Sequence, residues 1–430
     1  MRFRTLPGSR AAPGRDFPNL PQTLNVSARI LTLLLLLCCS LPVAAQDTAC
    51  PLRITLLTCA PGAELYSTFG HTAIRVQDGR TGEDRVYNYG TFEFGDDFYM
   101  KFVRGKLPYF LSIERYDEFL YQYQAESRSI WEQEVLLDCT RRHSLLRALD
   151  SNALPQNRQY RYDFLFDNCT TRAGDMILGQ APAPVTTARV VPAESELAPS
   201  FRHLIHRYLD SGAQHWSKLG IDLLLGARLD RAVTNREAQF LPEILLQGMA
   251  GARGGGTPVV GPARAVLQLP RPDSGSGILT PGVVFGGLLL VVLVLSFMPR
   301  RGVRVFINAF DFLLFFGTGA VGVLLLFMWL GTNHQLCANN WNLLWALPTH
   351  LLAAPFLRRD SRLMHWYLGA SIALLSALLI GWIFLPQQLN TGFLPIVLLL
   401  LLRAWLIILK PHYHAPEPRP EAAGVRRTAL

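Results

Sequence analysis

The sequence predicts an α+β domain on the outer side of a membrane, followed by an all-α transmembrane bundle of about five helices. Two observations carry this expectation. Apolar residues are unevenly spread: residues 46–277 read as a soluble domain, whereas the chain after Ile278 is a series of long apolar runs. Charge is partitioned in the same way. Residues 1–45 hold five Lys/Arg against one acid (+4), residues 46–277 hold 25 against 27 (−2), and residues 278–430 hold eleven against four (+7). The formal net charge of +9 therefore belongs to the N-terminal segment and the membrane flanks. A nearly neutral soluble domain argues against a nucleic-acid partner.

The N-terminus has the pattern of an export signal over residues 1–45. Arg29 directly precedes the apolar run from Ile30 to Leu37, and Val43-Ala44-Ala45 forms a small-x-small cleavage pattern before Gln46. Residues 46–247 then form the expected soluble domain. Leu52–Thr58 reads as a strand, followed by a Pro61-Gly62 turn. His71-Thr72-Ala73-Ile74-Arg75-Val76 is a second strand, and Arg85–Gly90 returns as its hairpin partner after a turn cluster at 77–82. Residues 96–110 interleave Phe98, Tyr99, Phe102, Tyr109 and Phe110 with Lys101, Arg104 and Lys106, as expected of a packed amphipathic element or of a surface for membrane or acyl chains. A strand at Ser129–Asp138, a helix from Arg141 to Asn152 and a helix from Thr170 to Leu178, closed by Gly179 and Pro182, complete the expected core. Leu-rich helices follow at Phe201–Leu209 and Trp216–Leu225. His203 and His206 are three apart without a third ligand nearby, so no metal site is expected. Residues 248–277, dominated by Gly, Pro, Ala and Arg, read as a linker.

Membrane spans are expected at about 278–298, 306–330, 343–357, 364–385 and 393–409, within a transmembrane domain of residues 278–410. Arginine-bearing loops at 299–304 and 358–362 alternate with loops at 331–342 and 386–392 that contain no Lys, Arg, Asp or Glu. Arginine loops stay in the cytoplasm, so they belong there with the tail at 411–430. The uncharged loops then face outward beside the soluble domain. The outward segment holds His334, Asn340 and Asn342, uncharged polar groups suited to a phospholipid head group or a peptide amine. Trp341 and Trp345 match an ordinary interfacial belt.

Five cysteines follow the signal: Cys50, Cys59, Cys139, Cys169 and Cys337. In an oxidising compartment a pair among the first three is expected to form a disulfide, and the odd count leaves at least one thiol unpaired. Cys169 is the expected free thiol, because Asp167, Asn168, Thr170, Thr171 and Arg172 around it are all polar. A free thiol has a pKa of about 8.5. A helix beginning just after Asn168 and an imidazole from His71 would both lower it, and first-turn N–H groups would form an oxyanion hole. Asn88, on the next strand, is the candidate third member that orients His71. Arg75 is placed either to bind a phosphate or to pair within the fold.

The order of His71 on a strand and Asn168-Cys169 opening a later helix resembles the circularly permuted NlpC-type papain-like fold, including its lecithin:retinol acyltransferase branch. Asn88 falls where that branch carries a second histidine. The chain resembles still more closely the lipoprotein N-acyltransferases of the Lnb type. This likeness runs through Leu56–Gly62, Phe69-Gly70-His71-Thr72-Ala73-Ile74-Arg75-Val76, Tyr87-Asn88-Tyr89-Gly90-Thr91-Phe92, Asp167-Asn168-Cys169-Thr170-Thr171-Arg172 and Asn340-Trp341-Asn342-Leu343-Leu344-Trp345. It implies a multi-pass protein of the inner (cytoplasmic) membrane with a periplasmic thiol domain and no cofactor. The implied reaction moves a fatty acyl chain, with a phospholipid as donor, to the N-terminal cysteine amine of diacylglyceryl lipoproteins. Cys169, His71 and Asn88 would be catalytic, and Arg75, Asn168, His334, Asn340 and Asn342 would contact substrate. The same dyad would also serve a cell-wall amidase or peptidase acting on peptidoglycan, and a non-enzymatic membrane sensor would need no dyad at all.

Overall fold

The computed structural model describes residues 50–93, 98–192, 198–270 and 277–409. The expected export signal at 1–45 and tail at 411–430 lie outside the described residues, as do the side chains of Phe98, Tyr99 and Phe102. What is described is a mixed helix/sheet domain followed by a helical region.

The domain is built on a seven-stranded antiparallel sheet. Its strands are β1 (Leu52–Cys59), β2 (His71–Asp78), β3 (Glu83–Thr91), β4 (Pro108–Arg115), β5 (Ile130–Glu134), β6 (Gln159–Arg161) and β7 (Arg264–Leu267). Their spatial order is β7-β5-β1-β2-β3-β4-β6. β1 is central and buried along almost its whole length, which explains its near-continuous apolar run. Leu57, Cys59, Ala73 and Val86 on one face pack against Phe119 and Tyr123 of the Tyr116–Ala125 helix. Ile54 and Leu56, at the alternate positions, are equally buried toward the other face. The helices Cys139–Ala153, Cys169–Leu178 and Pro242–Ala250 pack against β1–β3.

Residues 248–277 are not simply a linker. β7 pairs with β5, Val259 and Val260 are buried, and Arg253–Gly254 pairs with Val185–Thr186 and Thr257–Pro258 in a second small sheet. Two short apolar pairs, Val259-Val260 and Val266-Leu267, anchor a segment whose composition otherwise reads as loop.

In the helical region three helices are long and apolar enough to cross a membrane: Arg301–Leu330, Arg362–Phe384 and Thr391–Leu409. Pro281–Ser296 is a shorter apolar helix. The span expected at 343–357 is instead broken into Trp341–Leu344, Thr349–Ala353 and Ala354–Phe356. Pro348 and Pro355 interrupt it, since proline cannot donate to a helix ladder. The broken segment lies backbone to backbone on the long helix. A Cβ on Gly319 would come 2.1 Å from the Leu351 nitrogen, and one on Gly322 would come 2.0 Å from the Ala346 oxygen. Small residues permit this close approach between membrane helices. Deeper in, the fully buried Asp311 accepts from Arg403 at 2.5 and 2.9 Å and also pairs with Arg358, tying the long helix to the last one.

Candidate active site

Cys169 is the first residue of its helix, and its position is set by the residue before it. Asn168 caps the helix: its Oδ1 accepts from the N–H groups of Thr170 and Thr171, both at 2.8 Å. Its Nδ2 donates to the carbonyls of Phe164 and Phe240. Thr171 completes a capping box by accepting from the Asn168 N–H at 2.9 Å. Asn168, expected to touch substrate, is thus fully engaged in holding the nucleophile's backbone. The oxyanion hole expected from the first turn shrinks for the same reason, because the Thr170 and Thr171 N–H groups are already taken.

His71 opens β2, on the sheet face that also carries Ala73 and, one strand away, Val86 and Asn88. Gly70 allows the sharp entry: its φ is +80°, and a Cβ there would lie 2.6 Å from the Cys59 carbonyl oxygen. His71 Nε2 lies 2.5 Å from Asn88 Oδ1, and Asn88 Nδ2 donates to Glu114 Oε1 at 2.8 Å. These bonds fix a direction. A carboxylate only accepts, so the Asn88 amide must turn its NH₂ to Glu114 and its oxygen to His71. His71 Nε2 therefore carries the proton that Asn88 accepts, which leaves Nδ1 for the hydrogen bond with the Cys169 thiol. Glu114 is the participant that the sequence did not reveal. It reaches Asn88 only through the pairing of β3 with β4, which sets Val86 opposite Glu114.

The electrostatics favour an ion pair. Burial pushes the Cys169 thiol up, but the charge and hydrogen bond of His71 outweigh it. Together with bonds from the Thr72 N–H and the Thr170 hydroxyl they bring its pKa down to about 7. For His71, burial pulls downward, while the Cys169 thiolate and the bonds to Cys169 and Asn88 prevail and raise it. Among the described residues the other free thiols, Cys59 and Cys337, behave in the opposite way. Burial, only partly opposed by a bond to Tyr123, pushes Cys59 up to about 12, and burial pushes Cys337 up to about 11. Cys139 is disulfide-bonded.

The thiol faces a cavity of about 330 Å³ whose walls include Phe69, Phe92, Tyr109, Tyr162, Phe164 and Phe240. Gly90, at φ +92°, borders the nucleophile: a Cβ there would lie 3.5 Å from Cys169 Cβ. A buried thiolate–imidazolium pair at a helix N-terminus, open to an aromatic cavity, is equipped to attack an acyl carbonyl.

Three of the other residues expected at substrate have different positions. Arg75 is held by Asp84 at 2.8 and 2.6 Å, lies near Glu132 and stacks over Tyr116, so its guanidinium is engaged within the fold. Asn340 and Asn342 are buried and bind the protein itself. Asn340 Nδ2 donates to the Leu223 and Leu224 carbonyls, and Asn342 Nδ2 donates to those of Asp222 and Leu223. Asn342 Oδ1 accepts from Trp345 Nε1 at 3.0 Å. With Gln387, which donates to the Leu225 carbonyl, and Asn390, which donates to Asp222 Oδ2, they clamp the end of the His215–Leu224 helix to the two uncharged loops. The clamp continues inward through Asp222, Arg202, Asp230 and His206. His334 lies near Gly105 and borders a second cavity, of about 500 Å³.

Two family descriptions match the chain: the Lnb N-terminal periplasmic domain over residues 44–199, and the Lnb transmembrane domain over residues 273–413. The first contains His71, Asn88, Glu114 and Cys169. The clamp helices between residues 200 and 272 fall in neither. No curated protein and no solved structure compared with the chain matches it. The N-terminal domain is accordingly periplasmic, and the helical region is a transmembrane domain.

Proposed function

The chain belongs to the Lnb family and is a membrane protein of the lipoprotein N-acyltransferase type; from that premise we propose that it works by a Cys169 thioester, taking a fatty acyl chain from a phospholipid and passing it to the N-terminal cysteine amine of diacylglyceryl lipoproteins at the inner membrane. The observation that carries this reading is the thiol with a pKa brought down to about 7, bonded to a histidine whose far nitrogen is fixed by Asn88.

The first step uses the Cys169 thiolate, which attacks the ester carbonyl of the donor. A C–S bond forms, the C–O bond breaks, and the leaving lysophospholipid oxygen takes the proton held on His71 Nδ1. In the second step the lipoprotein amine attacks the thioester carbonyl. His71 Nδ1 accepts the amine's proton, the C–S bond breaks, and the thiolate returns as the amide forms. An amide is more stable than a thioester, so the second step runs downhill. Asn88 and Glu114 keep the imidazole in one orientation through both steps. The Cys169 N–H, at the positive end of its helix, is placed to steady the tetrahedral oxyanion.

Membrane helices suit this reading, because donor and acceptor are both lipid-borne and a wall-peptide hydrolase needs no access to lipid. The test is mass spectrometry of lipoprotein N-termini in cells carrying wild-type protein or Cys169→Ala. The expected result is N-acylation with the first and its loss with the second. Altered wall peptides with unchanged N-acylation would favour the amidase instead.

A further inference from the structure

We propose that the second cavity houses the hydrocarbon tail of the acyl group while that group sits on Cys169, and that its depth sets which chain lengths are transferred. The inference rests on the acyl-transfer reading above.

A thioester on Cys169 has its carbonyl in the 330 Å³ cavity, and a long tail must continue elsewhere. The neighbouring cavity, of about 500 Å³, shares Leu65, Phe69, Tyr109, Tyr162 and Phe164 with it, so the two adjoin along one mostly aromatic wall. Beyond that wall Leu107, Ile205, Ile221, Leu225 and Leu336 form an aliphatic stretch, and Arg161, Asn333, His334 and Gln335 lie at its border. Asp163 also borders it, but its Oδ1 already accepts from the Leu165 and Phe166 N–H groups. The mostly apolar lining fits a hydrocarbon chain along its aromatic and aliphatic walls.

The far side of the cavity fixes where the chain comes from. Residues 333–337 form that side, and they follow directly on the outer end of the Arg301–Leu330 membrane helix. The loop is held on both flanks, by the Asn333 N–H on the Arg104 carbonyl at 3.1 Å and by the Gly226 N–H on the Leu336 carbonyl at 2.9 Å. The cavity is thus lined jointly by the periplasmic domain and by the loop that follows the long membrane helix. A tail entering at this loop reaches the thiol's cavity past Leu336 and the shared wall of Leu65, Phe69, Tyr109, Tyr162 and Phe164. Cys337, in the same wall, is kept protonated by burial and does not compete as a nucleophile.

The test uses full-length protein in lipid nanodiscs holding phospholipids of graded saturated chain length, with the acyl group on Cys169 identified by peptide mass spectrometry. Leu336→Trp fills the far end and is expected to raise the short-to-long ratio of bound chains roughly 10-fold, the scale at which apolar pockets discriminate by a methylene. Leu336→Ala is expected to lower it and serves alone if the tryptophan variant does not fold. Chain distributions equal to wild type in the folded variants overturn the proposal. So does slower transfer to a lipoprotein acceptor with an unchanged distribution on Cys169, which would assign the cavity to the acceptor's lipid. Absence of any acyl group on wild-type Cys169 would instead defeat the acyl-transfer reading itself.

Discussion

Two of the buried polar clusters among the described residues, one around Cys169 and one around Asp222, differ in what they leave unengaged. Around Asp222 every polar group is turned inward. Arg202 is fully buried yet bonded to Asp222, Asp230 and two backbone carbonyls, and Asn340, Asn342, Gln387 and Asn390 grip backbone or Asp222. Around Cys169 the ring Glu114–Asn88–His71 is just as well satisfied, but it ends on a sulfur that faces a cavity. Buried polarity alone does not mark a functional site. A reactive atom held ready by otherwise satisfied partners does.

Cys169→Ala should have the largest effect on chemistry, lowering N-acylation by a factor on the order of 10³ or more, with little change in thermal unfolding. Asn88→Ala comes next. It removes the acceptor for His71 Nε2 and should slow acylation on the order of 10²-fold, within the range that a positioned acid–base group contributes. Glu114→Gln should cost less, because an amide in place of the carboxylate no longer forces the Asn88 side chain into one orientation. Single-turnover kinetics check all three.

The pH dependence sharpens the contrast between the thiols. Alkylation of Cys169 follows its thiolate and should rise with pH around a midpoint near 7, while Cys59 stays unreactive through neutral pH. In His71→Ala burial acts unopposed by the imidazolium, so the midpoint should move upward. Rates measured with a small iodoacetamide across pH decide this.

In the clamp the signs reverse. Asn342→Ala leaves the Trp345 indole N–H and the Asp222 carbonyl without their partner, at a cost of about 1–3 kcal/mol for each buried group stranded. The unfolding temperature of the full chain should fall, while the alkylation midpoint of Cys169 stays where it was. Arg75→Gln should be the smallest change in activity, since its partners Asp84 and Tyr116 belong to the fold.

The contrast also explains what the sequence disclosed. Cys169, His71 and Asn88, which the fold brings together, were legible as a candidate set because they sit in short polar blocks on readable strands and at a helix start. Asn340 and Asn342 looked alike in composition to a head-group site. Their role depends on the carbonyls at the end of a helix more than a hundred residues away, which no local pattern reports. Glu114 was invisible for a similar reason, since only the β3–β4 register brings it to Asn88. The segment 248–277 read as a linker because its glycines and prolines hide two apolar pairs that suffice to dock it, and the segment after Trp341 read as one continuous helix although Pro348 and Pro355 break it into short pieces.

The most direct measurement is peptide mass spectrometry of the purified full-length protein after incubation with phospholipid and without acceptor. The expected result is a fatty acyl group on Cys169, released by neutral hydroxylamine and discharged when a diacylglyceryl lipopeptide is added. Protein that N-acylates the lipopeptide while Cys169 never carries an acyl group would contradict the thioester mechanism.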